Sequence, residues 1–194
     1  MNLSPLVLAM TLVPGLANAA SCPTSADLDT GIRLRGAEGA SELFTRQGPA
    51  LVRSVYEQDG VAVTRTLLGS GLYVLETLDL EDGAPVPETR TTFGFPMPPA
   101  AMPMPKPAGS WTVKVTVTEA GRLGTEVQSY RFGPETEITF GACTYDMIPI
   151  IQHYDDETID YVTWLPELGL SFLSGFSDTE GQERYDYFAI EAVR

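Results

Sequence analysis

Short runs of alternating apolar and polar residues, separated by turn-forming residues, recur along most of the chain. In the clearest run, residues 111–118, Trp111 and three valines fall on one side and Lys114 and three threonines on the other. A period of two is typical of a strand with one buried face. The same reasoning predicts strands at 31–35, 41–46, 51–58, 61–68, 72–80, 89–95, 111–118, 125–132, 137–140, 145–154, 159–165, 170–176 and 184–193.

Tight turns connect these runs and favour pairing between strands that are neighbours in sequence. Asp59-Gly60 separates two runs and is a strong hairpin signal, because both central residues of a primed turn need positive φ. Residues 178–181 predict a last hairpin into 184–193. A dozen or so strands at a spacing of about ten residues predict an all-β fold, an antiparallel meander forming a curved sheet or half-open β-barrel. One short helix, at 36–50 or 118–126, is left open.

The stretch 141–175 combines the only histidine, one of the two cysteines and the densest acidic cluster. Its first strand has apolar residues on both faces, which favours an interior position in the sheet. Strict alternation would place Cys143, Tyr145 and His153 on one face. Pro149 predicts a bulge or an edge in this strand, because proline lacks the N–H that a ladder needs.

Residues 95–109 form a proline- and methionine-rich segment that cannot be an interior strand. We expect a polyproline-like crossing loop. The segment contains Met97, Met102 and Met104, and we predict that they cover an apolar rim or act as a lid over a groove. The alternative is a Cu(I) site, because thioether sulfur is a soft ligand that suits this ion.

The start of the chain predicts a secretory signal peptide. Residues 3–16 are almost wholly apolar and Ala17-Asn18-Ala19 is a small-residue cleavage pattern, so we expect cleavage after Ala19. The apolar run is shorter than the about 20 residues that a membrane span needs. The remaining residues, 20–194, have the length of one domain. The formal net charge of −14 argues against nucleic acid and anionic lipid as partners.

Cys22 and Cys143 are the only cysteines of the chain. In the oxidising compartment that an exported protein enters, two cysteines can pair. We therefore predict a disulfide and a periplasmic or secreted location. The competing prediction is a lipidated Cys22, as in a bacterial lipoprotein, although residues 19–22 lack the leucine that such signals usually carry.

No catalytic motif stands out in the sequence. His153 is the only imidazole, and the chain has no Gly-x-Ser-x-Gly nucleophile elbow. Asp155, Asp156, Glu157 and Asp160 could offer oxygen ligands to Ca²⁺, but their spacing does not match an EF-hand loop, and we expect a solvated hairpin tip. The prediction is a protein that is not an enzyme and has no cofactor.

The second half of the chain contains two further motifs, the strand entry at 141–146 and the aromatic strand and corner Tyr-Val-Thr-Trp-Leu-Pro-Glu-Leu-Gly-Leu at 161–170. On these motifs, residues 111–193 resemble uncharacterised bacterial periplasmic proteins that share the half-open β-barrel of the lipoprotein carriers LolA and LolB. The resemblance implies an apolar concave face that holds an acyl chain, a lipoprotein or a partner peptide. The aromatic residues are most simply core residues, but some would line the cavity of an open barrel. The groove candidates are Trp111, Tyr145, Met147, Tyr161, Trp164 and Phe172.

Together these patterns predict an exported, non-enzymatic binding or chaperone-like protein that holds an apolar small molecule, a lipid or a lipoprotein in a β-barrel groove. The alternative is a secreted interaction protein, inhibitor or envelope assembly factor that acts through the proline-rich loop. A methionine-rich copper-binding protein is a third possibility.

Overall fold

Fifteen antiparallel strands form one curved sheet in the computed structural model, which describes residues 21–194. The strands are β1 (Ile32–Gly36), β2 (Ala40–Gly48), β3 (Leu51–Gln58), β4 (Val61–Gly69), β5 (Tyr73–Glu81), β6 (Ala84–Pro85), β7 (Thr91–Gly94), β8 (Ser110–Glu119), β9 (Arg122–Phe132), β10 (Thr136–Phe140), β11 (Cys143–His153), β12 (Ile159–Leu165), β13 (Leu170–Ser177), β14 (Gln182–Arg184) and β15 (Tyr187–Ala192). Three 3-10 helices lie at Ser25–Asp29, Pro87–Thr89 and Pro99–Ala101. The predicted signal peptide lies outside the described residues.

The predicted all-β meander is confirmed, and the sheet is curved without closing into a barrel. The prediction of one short helix at 36–50 or 118–126 is wrong, because β2 and the β8–β9 hairpin occupy these segments. Asp59 and Gly60 have φ values of 53° and 78°, as the predicted primed turn between β3 and β4 requires. A primed turn matches the right-handed twist of the strands that it joins. A bulge between Tyr56 and Glu57 then shifts the register of the hairpin by one residue.

Most strands pair with their sequence neighbours, and β11 is the main exception. Its first half pairs with β10 through Met147, and its second half pairs with β9 from Ile150 onward. Pro149 lies at this change of partner, where its missing N–H interrupts neither ladder. The buried positions also change parity here, from Cys143 to Ile148. This change follows from the two cores, because Cys143 and Tyr145 pack in the first core and Ile148 and Ile150 pack in the second, on the opposite face. The registers of β11 with β10, β12 and β9 contain no bulge, so nothing in the structure contradicts the prediction that Cys143 and His153 share one face.

The last predicted strand is split in two. β14 forms the expected hairpin with β13, whereas β15 pairs with β1 at the other end of the sheet. Only Tyr185 and Asp186 connect β14 to β15, and three Cα–Cα steps from Arg184 to Tyr187 span at most about 11 Å. The two end strands of the pairing order must therefore lie close together, and we call this junction the seam.

The sheet buries apolar side chains in two cores. The first core contains Leu28, Ile32, Leu34, Phe44, Val52, Leu68, Phe140, Cys143, Tyr145, Leu165, Leu168, Leu170 and Phe172. The second core contains Leu72, Tyr73, Met102, Val113, Val115, Tyr130, Phe132, Ile148, Ile150 and Trp164. Successive residues of β12, Trp164 and Leu165, belong to different cores because neighbouring side chains of a strand point to opposite faces.

Candidate functional site

A groove with a volume of about 710 Å³ lies beside the seam. One wall is formed by β2, β3 and β4, and the other by β13, β14 and the start of β15. We call it the seam groove and define it by its lining: Gly36, Ala37, Glu38, Ala40, Glu42, Tyr56, Gln58, Thr64, Thr66, Leu173, Arg184, Tyr185, Asp186 and Tyr187. Its volume falls in the range of small-molecule sites, which is roughly 300–1,000 Å³. A second cavity of about 360 Å³, beside Pro87–Thr89 and the β8–β9 turn, has no buried residue in its lining.

Glu42 is the titratable group that the walls of the seam groove enclose most completely. It lies on β2 on the same face as Phe44 and is partly accessible. The Ser54 hydroxyl donates a hydrogen bond to Oε1 of Glu42, and the Tyr187 hydroxyl donates to Oε2 at 3.1 Å. Burial raises the pKa of Glu42 from 4.5 to about 7, although both hydrogen bonds act in the opposite direction. Glu42 therefore changes its charge near neutral pH.

Aromatic contacts hold two other residues of the groove lining, Tyr187 and Arg184. The ring of Tyr187 meets the ring of Phe172 edge-on, with centroids 5.1 Å apart, so the first core supports the hydroxyl that binds Glu42. Burial, with the neighbouring Glu42 carboxyl, also raises the pKa of Tyr187, which therefore stays protonated. The Arg184 guanidinium lies 3.9 Å from the ring centroid of Tyr161, a cation–π arrangement, and none of the ion pairs among residues 21–194 includes it.

The pKa of Glu42 makes the stability of the protein depend on pH. As pH rises from about 5 to about 8, we expect the stability of Glu42→Gln to increase relative to that of the wild type by on the order of 2 kcal/mol. Below the unfolded pKa of 4.5, both states of the wild type hold the proton. As pH rises toward 7, the unfolded state releases it first, so the stabilisation of the protonated folded form is lost.

Urea unfolding of both proteins at the two pH values measures this difference. Glu126 and Asp160, whose pKa values burial also raises, are present in both proteins and cancel in the comparison. A stability gap that does not change with pH would contradict the placement of Glu42.

The six groove candidates from the sequence are not brought together, and none of them lines the seam groove. Tyr145, Phe172 and the partly buried Met147 belong to the first core, and Trp164 with the partly buried Trp111 to the second. Tyr161 lies under Arg184. The groove that the structure contains is also more polar than the apolar face implied by the resemblance.

The loop at 95–109 covers the second core and contributes nothing to the seam groove lining. Met102 is only 5% exposed, and Met97 packs against the same core. The hydroxyl of Ser70 donates to the Pro99 carbonyl at 2.7 Å, and that of Tyr73 to the Pro103 carbonyl at 2.5 Å. Met104, by contrast, is 49% exposed. The segment is therefore attached along its length, and this arrangement adds no support to a copper site or to a free contact loop.

Cys22 and Cys143 form the predicted disulfide. The disulfide occupies the sulfur of Cys22, which lipidation of this residue would require. A disulfide is typical of proteins outside the cytoplasm, and this agrees with an extracytoplasmic location. No helix within residues 21–194 has the length and apolar character needed to cross a membrane.

The acidic residues after β11 act as hydrogen-bond acceptors within the fold. Asp155 accepts from the Val127 N–H at 2.8 Å, and Asp160 accepts from the Tyr154 hydroxyl at 2.7 Å. Among residues 21–194, no group of three or more His, Cys, Asp or Glu side chains is arranged to hold a metal ion. His153 is half-buried at the end of β11 and lies outside the seam groove.

Sequence reasoning missed the seam groove because its residues come from opposite ends of the chain. One signal was present in the alternation of β2. Ala40, Glu42 and Phe44 share a face, so a carboxylate stands among residues that pattern as buried. A charged residue on a buried face is a functional candidate. The alternation of β2 could not reveal its partner Tyr187, because the contact between Glu42 and Tyr187 depends on the curvature of the whole sheet.

No protein-family model and no curated protein matches this chain. Among solved structures, the chain is similar to the crystal structure of the hypothetical lipoprotein YmcC from Escherichia coli (K12). The TM-score is 0.43 and the sequence identity 13%, over 82% of this chain and 87% of that chain. These comparisons do not confirm the resemblance to LolA and LolB.

Proposed function

We propose that this protein is a non-enzymatic binding protein of the cell envelope that holds a small organic molecule in the seam groove. The observation that carries the proposal is the groove itself, about 710 Å³ in volume, with the half-buried Glu42 in its lining. Small-molecule sites combine apolar and aromatic walls with a few fixed polar groups. The seam groove offers Leu173 and three tyrosines as apolar and aromatic contacts, together with Glu42 and several other polar side chains.

A binding role is favoured over catalysis by the groups that the groove offers. A carboxyl group with a raised pKa is also what a general base needs. However, the described residues that line the groove include no histidine, cysteine or lysine beside Glu42. The disulfide and the predicted signal peptide support export, so the periplasm or the exterior of the cell is the proposed location.

Titration with N-phenylnaphthylamine, an uncharged apolar fluorophore, tests this proposal. We expect saturable binding with micromolar affinity, and we expect Thr66→Trp to weaken it about tenfold or more because the indole fills the groove. Thr116→Trp is the matched control, since Thr116 is exposed on β8 and lies outside the groove lining.

Circular dichroism of both variants verifies that they fold. Chemical-shift changes of backbone amides in β3 and β4 locate the bound fluorophore. Absence of saturable binding to the wild type, or equal binding to the Thr66→Trp variant, would overturn the proposal.

A further inference from the structure

Among residues 21–194, the carboxyl group of Glu42 has no cationic partner. Its two hydrogen bonds come from hydroxyl groups, those of Ser54 and Tyr187. None of the ion pairs found among residues 21–194 includes Glu42. The nearby Arg184 is placed over the ring of Tyr161 instead. A partly buried carboxylate without a counter-ion is costly, and a cation that entered the groove would relieve this cost.

The charges around the seam groove favour the same kind of occupant. Three carboxyl groups line it, those of Glu38, Glu42 and Asp186, against the single guanidinium of Arg184. The whole chain carries a formal net charge of −14. A negative protein with an acidic cleft raises the local concentration of cations and repels anions such as fatty acids.

The aromatic residues of the groove select among cations. Tyr56, Tyr185 and Tyr187 all line it, and tyrosine rings attract ammonium groups as well as apolar chains. A bare metal ion would instead need several converging oxygen ligands, and among residues 21–194 no such cluster is present. An ammonium group attached to an apolar body uses both the carboxylate and the rings.

We infer that the seam groove binds an organic ammonium cation, with Glu42 as its anionic partner and the tyrosine rings around its apolar part. The inference rests on the proposed function and names the ligand class for the same groove. The ammonium group donates hydrogen bonds to the Glu42 carboxylate, and the Tyr187 hydroxyl keeps this carboxylate in position. No covalent bond is made or broken.

The experiment compares three probes with one chain length and different head groups: octylammonium, octanol and octanoate. Isothermal titration at about pH 8 is expected to show octylammonium binding about tenfold tighter than octanol, and octanoate weakest. Glu42→Gln is expected to remove the preference for octylammonium over octanol. Glu137→Gln is the matched control, because it removes the same charge from an exposed position on β10 that lies outside the groove lining.

The pH dependence gives a second measurement that does not rely on a variant. Protonation of Glu42 at about pH 5 is expected to reduce the preference for octylammonium several-fold, since the ammonium group then meets a neutral carboxyl. The groups that face Glu42 or share its groove are Ser54, Tyr56, Tyr185, Tyr187, Arg184, Glu38 and Asp186. The burial-raised pKa values of Tyr185 and Tyr187 keep both protonated over this range.

The possible outcomes separate the inference from the proposed function. If octanol or octanoate binds as tightly as octylammonium, or if Glu42→Gln and pH leave the preference unchanged, the inference is overturned and the groove remains a binding site. If none of the three probes binds and N-phenylnaphthylamine also fails, the proposed function itself falls.

Discussion

Replacing Cys22 and Cys143 together by serine is expected to lower the free energy of unfolding by about 4 kcal/mol. The disulfide joins residues 121 positions apart, so it removes a large loop-closure entropy from the unfolded chain. It also attaches the first described residues to the first core, where the Tyr145 hydroxyl donates to the Pro23 carbonyl at 2.8 Å. Leu28, which is 1% exposed, completes this attachment.

Guanidinium unfolding followed by tryptophan fluorescence measures this loss, since Trp111 and Trp164 both lie in or against the second core. The control is the wild type unfolded in the presence of a reducing agent, which should lose the same free energy as the double variant. A loss below about 1 kcal/mol in both cases would show that the bond restricts the unfolded chain far less than its position implies.

Gly71→Ala is expected to cost about 3 kcal/mol, the second largest effect. Gly71 has a φ of 70°, and a Cβ at this position would lie 2.1 Å from the carbonyl oxygen of Gly169. The turn between β4 and β5 therefore touches the turn between β12 and β13 through backbone atoms. The Ser171 hydroxyl donates to the Gly71 carbonyl at 3.0 Å and fixes the same contact. The added methyl group must push these two turns apart.

Gly60→Ala is the matched control for this variant. Gly60 has a φ of 78° and no atom within 4 Å of an added Cβ, so it reports backbone strain alone, about 1 kcal/mol. Urea unfolding of both variants separates strain from collision. Equal losses in the two variants would mean that the turns yield without cost and that their contact does not stabilise the fold.

Much of the fold could be predicted from local patterns. The alternation at 111–118 is observed in β8, where Val113 and Val115 are buried and Lys114 is exposed. Such a pattern is readable because side chains of a strand alternate between faces whatever the neighbouring strands are. The disulfide was also predictable, since two cysteines allow one internal pairing.

The predictions that failed concern contacts between residues that are far apart in the sequence. Local sequence shows a run of strand-forming residues from 184 to 193, but it does not show that Tyr185 and Asp186 carry the chain across the seam to β1. Four of the five aromatic groove candidates, all except Tyr161, pack in or against the two cores instead, because large apolar side chains gain most free energy when they are buried. Tyr187 becomes part of a site only through the curl of the sheet, which brings it to Glu42.

The pairing of β1 with β15 also determines when this protein can fold. Ile32 pairs with Ala192, so β1 finds its outer neighbour about 160 residues later in the chain. During synthesis, β1 therefore leaves the ribosome well before β15 does. Until then β1 presents an open edge, which is a template for aggregation. This long-range pairing predicts a late step in folding, and the newly made chain needs protection until β15 is in place.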